Sequence, residues 1–154
     1  MADEVSERIS IAVPPAAVYE AVADVRRMGR WSPECFAVFV WSRRGGEPAR
    51  FVGFNRSGPW VWFTTCQVVA AAPAQEFAFD VTTFGMPVAR WSYRFAPAAD
   101  GTEVTESWTD QRSRGAWLLG RIFTGRLAAS RPEANREGMR TTLARLKQEL
   151  EPAA

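Results

Sequence analysis

Glu106 is the residue whose type and setting most suggest chemistry. The run Glu103–Asp110 alternates, with Val104 and Trp108 on one face, and the same parity carries Glu106 and Asp110 to that face. An unpaired buried carboxylate is costly, so Glu106 is expected to be hydrogen-bonded, neutralised by a raised pKa, or used as an acid or base. The plain alternatives are a strand-end salt bridge or a register one residue off. Asp110, at the end of the run, reads first as a solvated turn residue. In Ala89–Phe95 the set Trp91, Tyr93 and Phe95 faces in, opposite Arg90, Ser92 and Arg94. Tyr93 is therefore the second candidate proton carrier. Asn55 joins it as a group able to orient a ligand's carbonyl or hydroxyl, against a plain reading as sheet packing and a turn-end amide.

Composition removes several other chemistries. The chain has no histidine, which excludes a Ser-His-Asp or Cys-His triad, a histidine base and His-ligated zinc. Cys35 and Cys66 stand in no metal or redox spacing, and Cys66 reads as a small core hydrophobe. Neither a metal nor a cofactor is expected. A net charge of +2 is too weak to make nucleic acid the expected partner. The acidic start Met1-Ala2-Asp3-Glu4 is unlike a signal peptide, and no run of about 18 apolar residues is present. The expectation is a soluble, reduced, cytoplasmic protein.

These side chains need a frame. Residues Val5 to Val13 alternate as a strand, with Val5, Ile9, Ile11 and Val13 on one face and Glu7 interrupting it. Pro14-Pro15 opens a helix, Ala16 to Ala23, and a short turn from Asp24 to Met28 is punctuated by Gly29. Strands are then predicted at Phe36–Trp41, Arg50–Asn55, Trp60–Val69, Phe77–Val81, Ala89–Phe95 and Glu103–Asp110, separated by turn-formers such as Gly45-Gly46, Ser57-Gly58-Pro59 and Asp100-Gly101. Such a series reads as an antiparallel meander. Ala116 to Glu151 reads as helical. Its last element, Ser130 to Glu151, starts with the capping box Ser130-Arg131-Pro132-Glu133 and stops at Pro152. Its inner side is apolar late (Leu143, Leu146, Leu150) and mixed early (Asn135, Gly138, Met139, Thr142), so one half is expected in a core and the other beside something less dry. At 154 residues and 47% apolar content, one domain spanning residues 1–154 accounts for the chain and buries about 70% of its unfolded surface.

One strand, two short helices, six strands and a long closing helix is the order of the helix-grip fold. The chain resembles the START-like (SRPBCC) superfamily, and within it the bacterial polyketide cyclase/dehydrase-like branch. The resemblance is carried by Ile11-Ala12-Val13-Pro14-Pro15-Ala16-Ala17-Val18-Tyr19, by Met28-Gly29-Arg30-Trp31-Ser32-Pro33-Glu34-Cys35, and by Asn135-Arg136-Glu137-Gly138-Met139 through Thr142-Leu143-Ala144-Arg145-Leu146-Lys147. It implies an α+β fold in which a seven-stranded antiparallel curved sheet grips the C-terminal helix, with a cavity between them for an apolar small molecule. Under that fold Trp31 and Glu34 lie near the cavity mouth. Strand parity adds Trp62, Thr64, Cys66, Phe79, Trp91 and Trp108 to its walls, and the helix adds Asn135, Gly138, Met139 and Thr142.

Residues Gln111 to Arg131 carry Arg112, Arg114, Arg121, Arg126 and Arg131 among Trp117, Leu118, Ile122 and Phe123, with no acid before Glu133. A helix on the sheet rim, a lid, and a surface for a membrane or an acidic carrier protein all fit this pattern. Three functions follow, in this order: binding of a small hydrophobic, aromatic or polyketide-like ligand, lipid included; a polyketide cyclase/aromatase using Glu106, Tyr93 or an arginine-bound water; and a non-catalytic regulatory or membrane-surface role.

Overall fold

The computed structural model describes residues 4–112 and 131–151. Seven strands form one antiparallel sheet in the order β1-β7-β6-β5-β4-β3-β2. The strands are β1 (Glu4–Ile11), β2 (Cys35–Arg44), β3 (Glu47–Ser57), β4 (Trp60–Ala72), β5 (Glu76–Thr83), β6 (Met86–Ala98) and β7 (Gly101–Asp110). The meander β2–β7 keeps neighbours in sequence adjacent in space, and β1 closes the series by pairing with β7. Helix α1 (Pro15–Ala23), a 3-10 turn (Val25–Arg30) and helix α2 (Arg131–Leu150) complete the helix-grip fold. Each strand of the meander is longer than its apolar core implies, because backbone pairing continues into the polar hairpin ends.

Two local differences have steric causes. Gly29 lies inside the 3-10 turn rather than ending it, and the position needs glycine because a Cβ there would stand 2.8 Å from the Phe36 carbonyl oxygen. Strand β1 stops at Ile11, and Val13 instead accepts a 2.7 Å hydrogen bond from Thr102 Oγ1. The chain passes so close to the start of β7 that a Cβ on Gly101 would meet Ile11 O. The cap residue expected for α2, Ser130, lies outside the described residues.

Helix α2 runs alongside β1 in the same direction. Arg140 meets the Glu7 carboxylate at 3.2 Å, Lys147 Nζ donates to Ser10 O at 2.6 Å, and Ala12 N–H donates to Glu151 at 2.9 Å. The acid that interrupts the apolar face of β1 is thus the helix's docking point. Between sheet and helices lies a main core: Ile11, Val18, Val22, Val25, Phe51, Phe77, Phe95, Val104, Leu143 and Leu146. Tyr19 of α1 packs edge-on against Phe77 and Phe95, with ring centroids 6.3 and 5.9 Å apart. A second, smaller cluster joins Ala89, Trp108 and Met139, with Trp91 and Val5 against it.

Candidate functional site

Along the inner face of β7 the residues run Thr102, Val104, Glu106, Trp108. Val104 belongs to the main core and Trp108 to the second cluster, so Glu106 stands at the seam between them. Helix α2 repeats this sequence. Leu143 and Leu146 pack in the main core, Met139 in the second cluster, and the buried Thr142 and Asn135 interrupt the apolar run.

Glu106 is 2% exposed. It faces Tyr93 directly across the β6–β7 register, and the phenol donates a 2.7 Å hydrogen bond to its Oε1. Oε2 is buried with no hydrogen-bond partner among the described residues, as is Asn135 Nδ2. Burial pushes the Glu106 carboxyl from 4.5 up to about 8, against the opposing pull of the Tyr93 hydrogen bond. Burial, and then the neighbouring Glu106 charge, hold the Tyr93 phenol well above its ordinary value. At neutral pH the pair is therefore mostly protonated: one phenol donor, and one carboxyl able to donate or accept.

A second polar group sits on β2–β4. Asn55 Nδ2 donates to Thr64 Oγ1 and Gly53 O, each at 3.3 Å. A Cβ on Gly53 would come within 3.3 Å of Thr64 Oγ1 and 3.8 Å of Cys35 Sγ, so glycine lets this wall close up. Burial raises the Cys35 thiol to about 11 and the Cys66 thiol to about 12, which makes both poor nucleophiles.

The remaining sequence-predicted positions divide clearly. Trp31, Cys66 and Phe79 are in the main core; Phe79 stacks edge-on with Phe51 at 5.3 Å, and Arg27 lies over the Trp31 ring at 5.5 Å. Glu34 is half-buried in the loop, its carbonyl accepting Arg56 N–H at 2.8 Å. Trp62 and Trp91 are half-buried on the inner face, whereas Trp60, of the same parity, is exposed beyond the cover of the helices. Gly138 faces the loop after Trp31: among the described residues a Cβ there would meet only Pro33, at 3.8 Å.

At the end of β7, Asp110 is not the solvated turn residue expected. Its carboxylate takes Arg112 Nε at 2.9 Å and Nη2 at 2.8 Å. Burial alone would raise Asp110, but the Arg112 hydrogen bonds and charge outweigh it and hold the carboxyl below its ordinary value. Arg112 is correspondingly 12% exposed and is not a free rim cation. Arg114, Arg121 and Arg126 lie outside the described residues. Among the described residues no group of three or more acidic or cysteine side chains is arranged to hold a metal, and no helix is long and apolar enough to cross a membrane.

Sequence reasoning missed Tyr19, whose buried hydroxyl has no partner among the described residues and is raised by burial. A polar tip on the α1 face otherwise made of Val18 and Val22 was the available signal.

The family model for polyketide cyclase / dehydrase and lipid transport matches residues 2–151. The chain belongs to this family. Among solved structures, the polyketide-cyclase-like protein of Corynebacterium glutamicum is 29% identical, over 97% of this chain and 92% of that one, with a TM-score of 0.65. A START superfamily protein from Mycobacterium smegmatis is 13% identical over 95% and 98%, at 0.68. The di-domain aromatase/cyclase BexL from the BE-7585A biosynthetic pathway is 18% identical at 0.75; this chain covers 51% of it, about one of its two domains. Comparison with curated proteins finds no match.

Proposed function

We propose that this family member binds a small apolar, ring-containing molecule between sheet and α2, and anchors its carbonyl or hydroxyl on Glu106. The carrying observation is the state of that carboxyl: 2% exposed, one oxygen held by Tyr93, the other without a partner among the described residues. A protein seldom keeps a buried polar atom unpaired, since this costs about 1–3 kcal/mol. A ligand oxygen at Oε2 would remove that cost, and the flanking Trp91, Trp108 and Met139 would supply apolar contact for a ring. Native mass spectrometry of the purified protein, followed by quenching of tryptophan fluorescence with a polycyclic hydroxyketone, tests this reading. Expected are a co-purifying mass or saturable quenching, weakened at least about tenfold in Glu106→Ala, the worth of one hydrogen bond to a buried group. No bound mass, together with quenching that does not saturate, would overturn it.

A second reading, polyketide cyclisation, is favoured by the same carboxyl being raised to about 8, close to working pH, where a group both takes and returns protons. Ionised Glu106 would take a proton from carbon next to a ketone. The enolate carbon would add to a second carbonyl of the same chain, and Glu106 would return the proton to the new alkoxide. A second α-proton and the hydroxyl would then leave as water, regenerating the starting carboxylate. The similarity to the BexL di-domain brings this reading to the chain. Turnover of a poly-β-ketone that persists in Glu106→Gln would eliminate it while leaving the binding reading intact.

A further inference from the structure

The outer face of the sheet is not uniform. On β5–β7 and β1 it carries Asp80, Arg90, Ser92, Arg94, Ser107 and Ser6, an ordinary solvated face. On β2–β4 the same face carries exposed rings. Phe54 stands opposite Phe63 across the β3–β4 register, Phe39 lies opposite Val52, and Trp41 packs under the Arg50 guanidinium at 5.5 Å. The row from Phe54 through Phe63 continues to Phe84, whose ring meets Phe63 at 6.0 Å.

Phe84 is the most telling of these. With Gly85 it forms the two-residue turn between β5 and β6, and both have positive φ, 50° and 78°. That turn type favours Asn-Gly, and a bulky side chain in left-handed backbone is strained. Yet Phe84 is 82% exposed and among the described residues touches only the edge of the half-exposed Phe63 ring, so most of its apolar surface is left to water. A hydrophobe held out at a strained hairpin tip, continuous with a patch of exposed rings, is a reason to look for a contact surface.

Charge selects the partner. From Cys35 to Ala72 the chain has Arg43, Arg44, Arg50 and Arg56 against Glu47 alone. A second copy seated symmetrically on this face would bring like charges together, whereas exposed aromatic rings among arginines complement an anionic bilayer. We propose that the outer face of β2–β4, led by Phe84, docks this protein on the surface of anionic phospholipid membranes. The inference is independent of the ligand reading.

Co-sedimentation with mixed phosphatidylcholine–phosphatidylglycerol vesicles and with pure phosphatidylcholine vesicles tests it. The protein is expected to sediment with the mixed vesicles and much less with the neutral ones. Phe84→Asn is expected to raise the melting temperature, because it suits the turn, yet to weaken vesicle binding about tenfold, the worth of one buried phenylalanine. That opposite movement separates docking from a structural role. Arg56→Glu is expected to weaken binding at least about fivefold, at roughly 1 kcal/mol per basic residue. Arg94→Glu, on the polar half of the face, should leave it unchanged. The proposal is overturned by absence of sedimentation with mixed vesicles, by equal loss in Arg94→Glu, by undiminished binding in Phe84→Asn, or by light scattering that shows a dimer abolished by that substitution.

Discussion

Glu106 ties stability to pH in a direction opposite to that of most carboxylates. Its proton is held in the native state up to about pH 8, whereas the unfolded chain releases it near 4.5. Between those values the native state binds more protons than the unfolded state, so stability falls as pH rises. The contribution is fully present below about pH 4.5 and gone above about 8. At about 1.4 kcal/mol per pKa unit it amounts to a few kcal/mol. Glu106→Gln, which is neutral throughout, is expected to flatten the pH dependence of urea-unfolding stability across this window and to exceed wild type at pH 8. Parallel curves for the two proteins would mean that the carboxyl ionises normally. Asp110 is the opposite case: Arg112 holds it below its ordinary value, so its share of stability is lost only on acidification.

At the level of elements, α2 is held by two kinds of contact of unequal weight. Leu146 is fully buried in the main core, and Leu146→Ala should cost about 2–5 kcal/mol in denaturant unfolding. Arg140, whose side chain is mostly exposed, orients the helix on Glu7, and Arg140→Ala should cost less than about 1 kcal/mol. Equal losses would contradict this division of labour. Gly138 belongs to the mixed half. Because among the described residues a Cβ there meets only Pro33, at ordinary contact distance, Gly138→Leu should remain within about 1 kcal/mol of wild type in stability, its higher helix propensity offsetting pressure on the loop. Uptake of the hydroxyketone probe, measured by tryptophan quenching, should fall with it. A variant that mainly unfolds would place this half of α2 in the core.

For the molecule as a whole, the two apolar clusters imply unequal local stability. Amides on Leu143–Leu150 and on β5–β7 around Phe77, Phe95 and Val104 border the main core, while those on 133–139 border the smaller cluster. Native-state hydrogen exchange should therefore be slowest in the first set, and ligand should protect the second set more. Uniform protection along α2 would show a single undivided core.

Much of this was legible in the chain. Alternation placed Tyr93 and Glu106 on the inner faces of β6 and β7, because side-chain direction in a strand is a local property with period two. The structure adds the register: the two-residue loop Ala99-Asp100 pairs Ala98 with Gly101 and so sets Tyr93 opposite Glu106. The seam, the pairing of Glu7 with Arg140 and the exposed aromatic half of the outer face were decided by tertiary structure. Each depends on which element lies over which: α2 over β1 and β7, and no described helix over the outer face of β2–β4. Sequence by itself determined which way the side chains point. Only the packing of one element over another determined what they meet, because burial and pairing energies arise between surfaces and not along the chain.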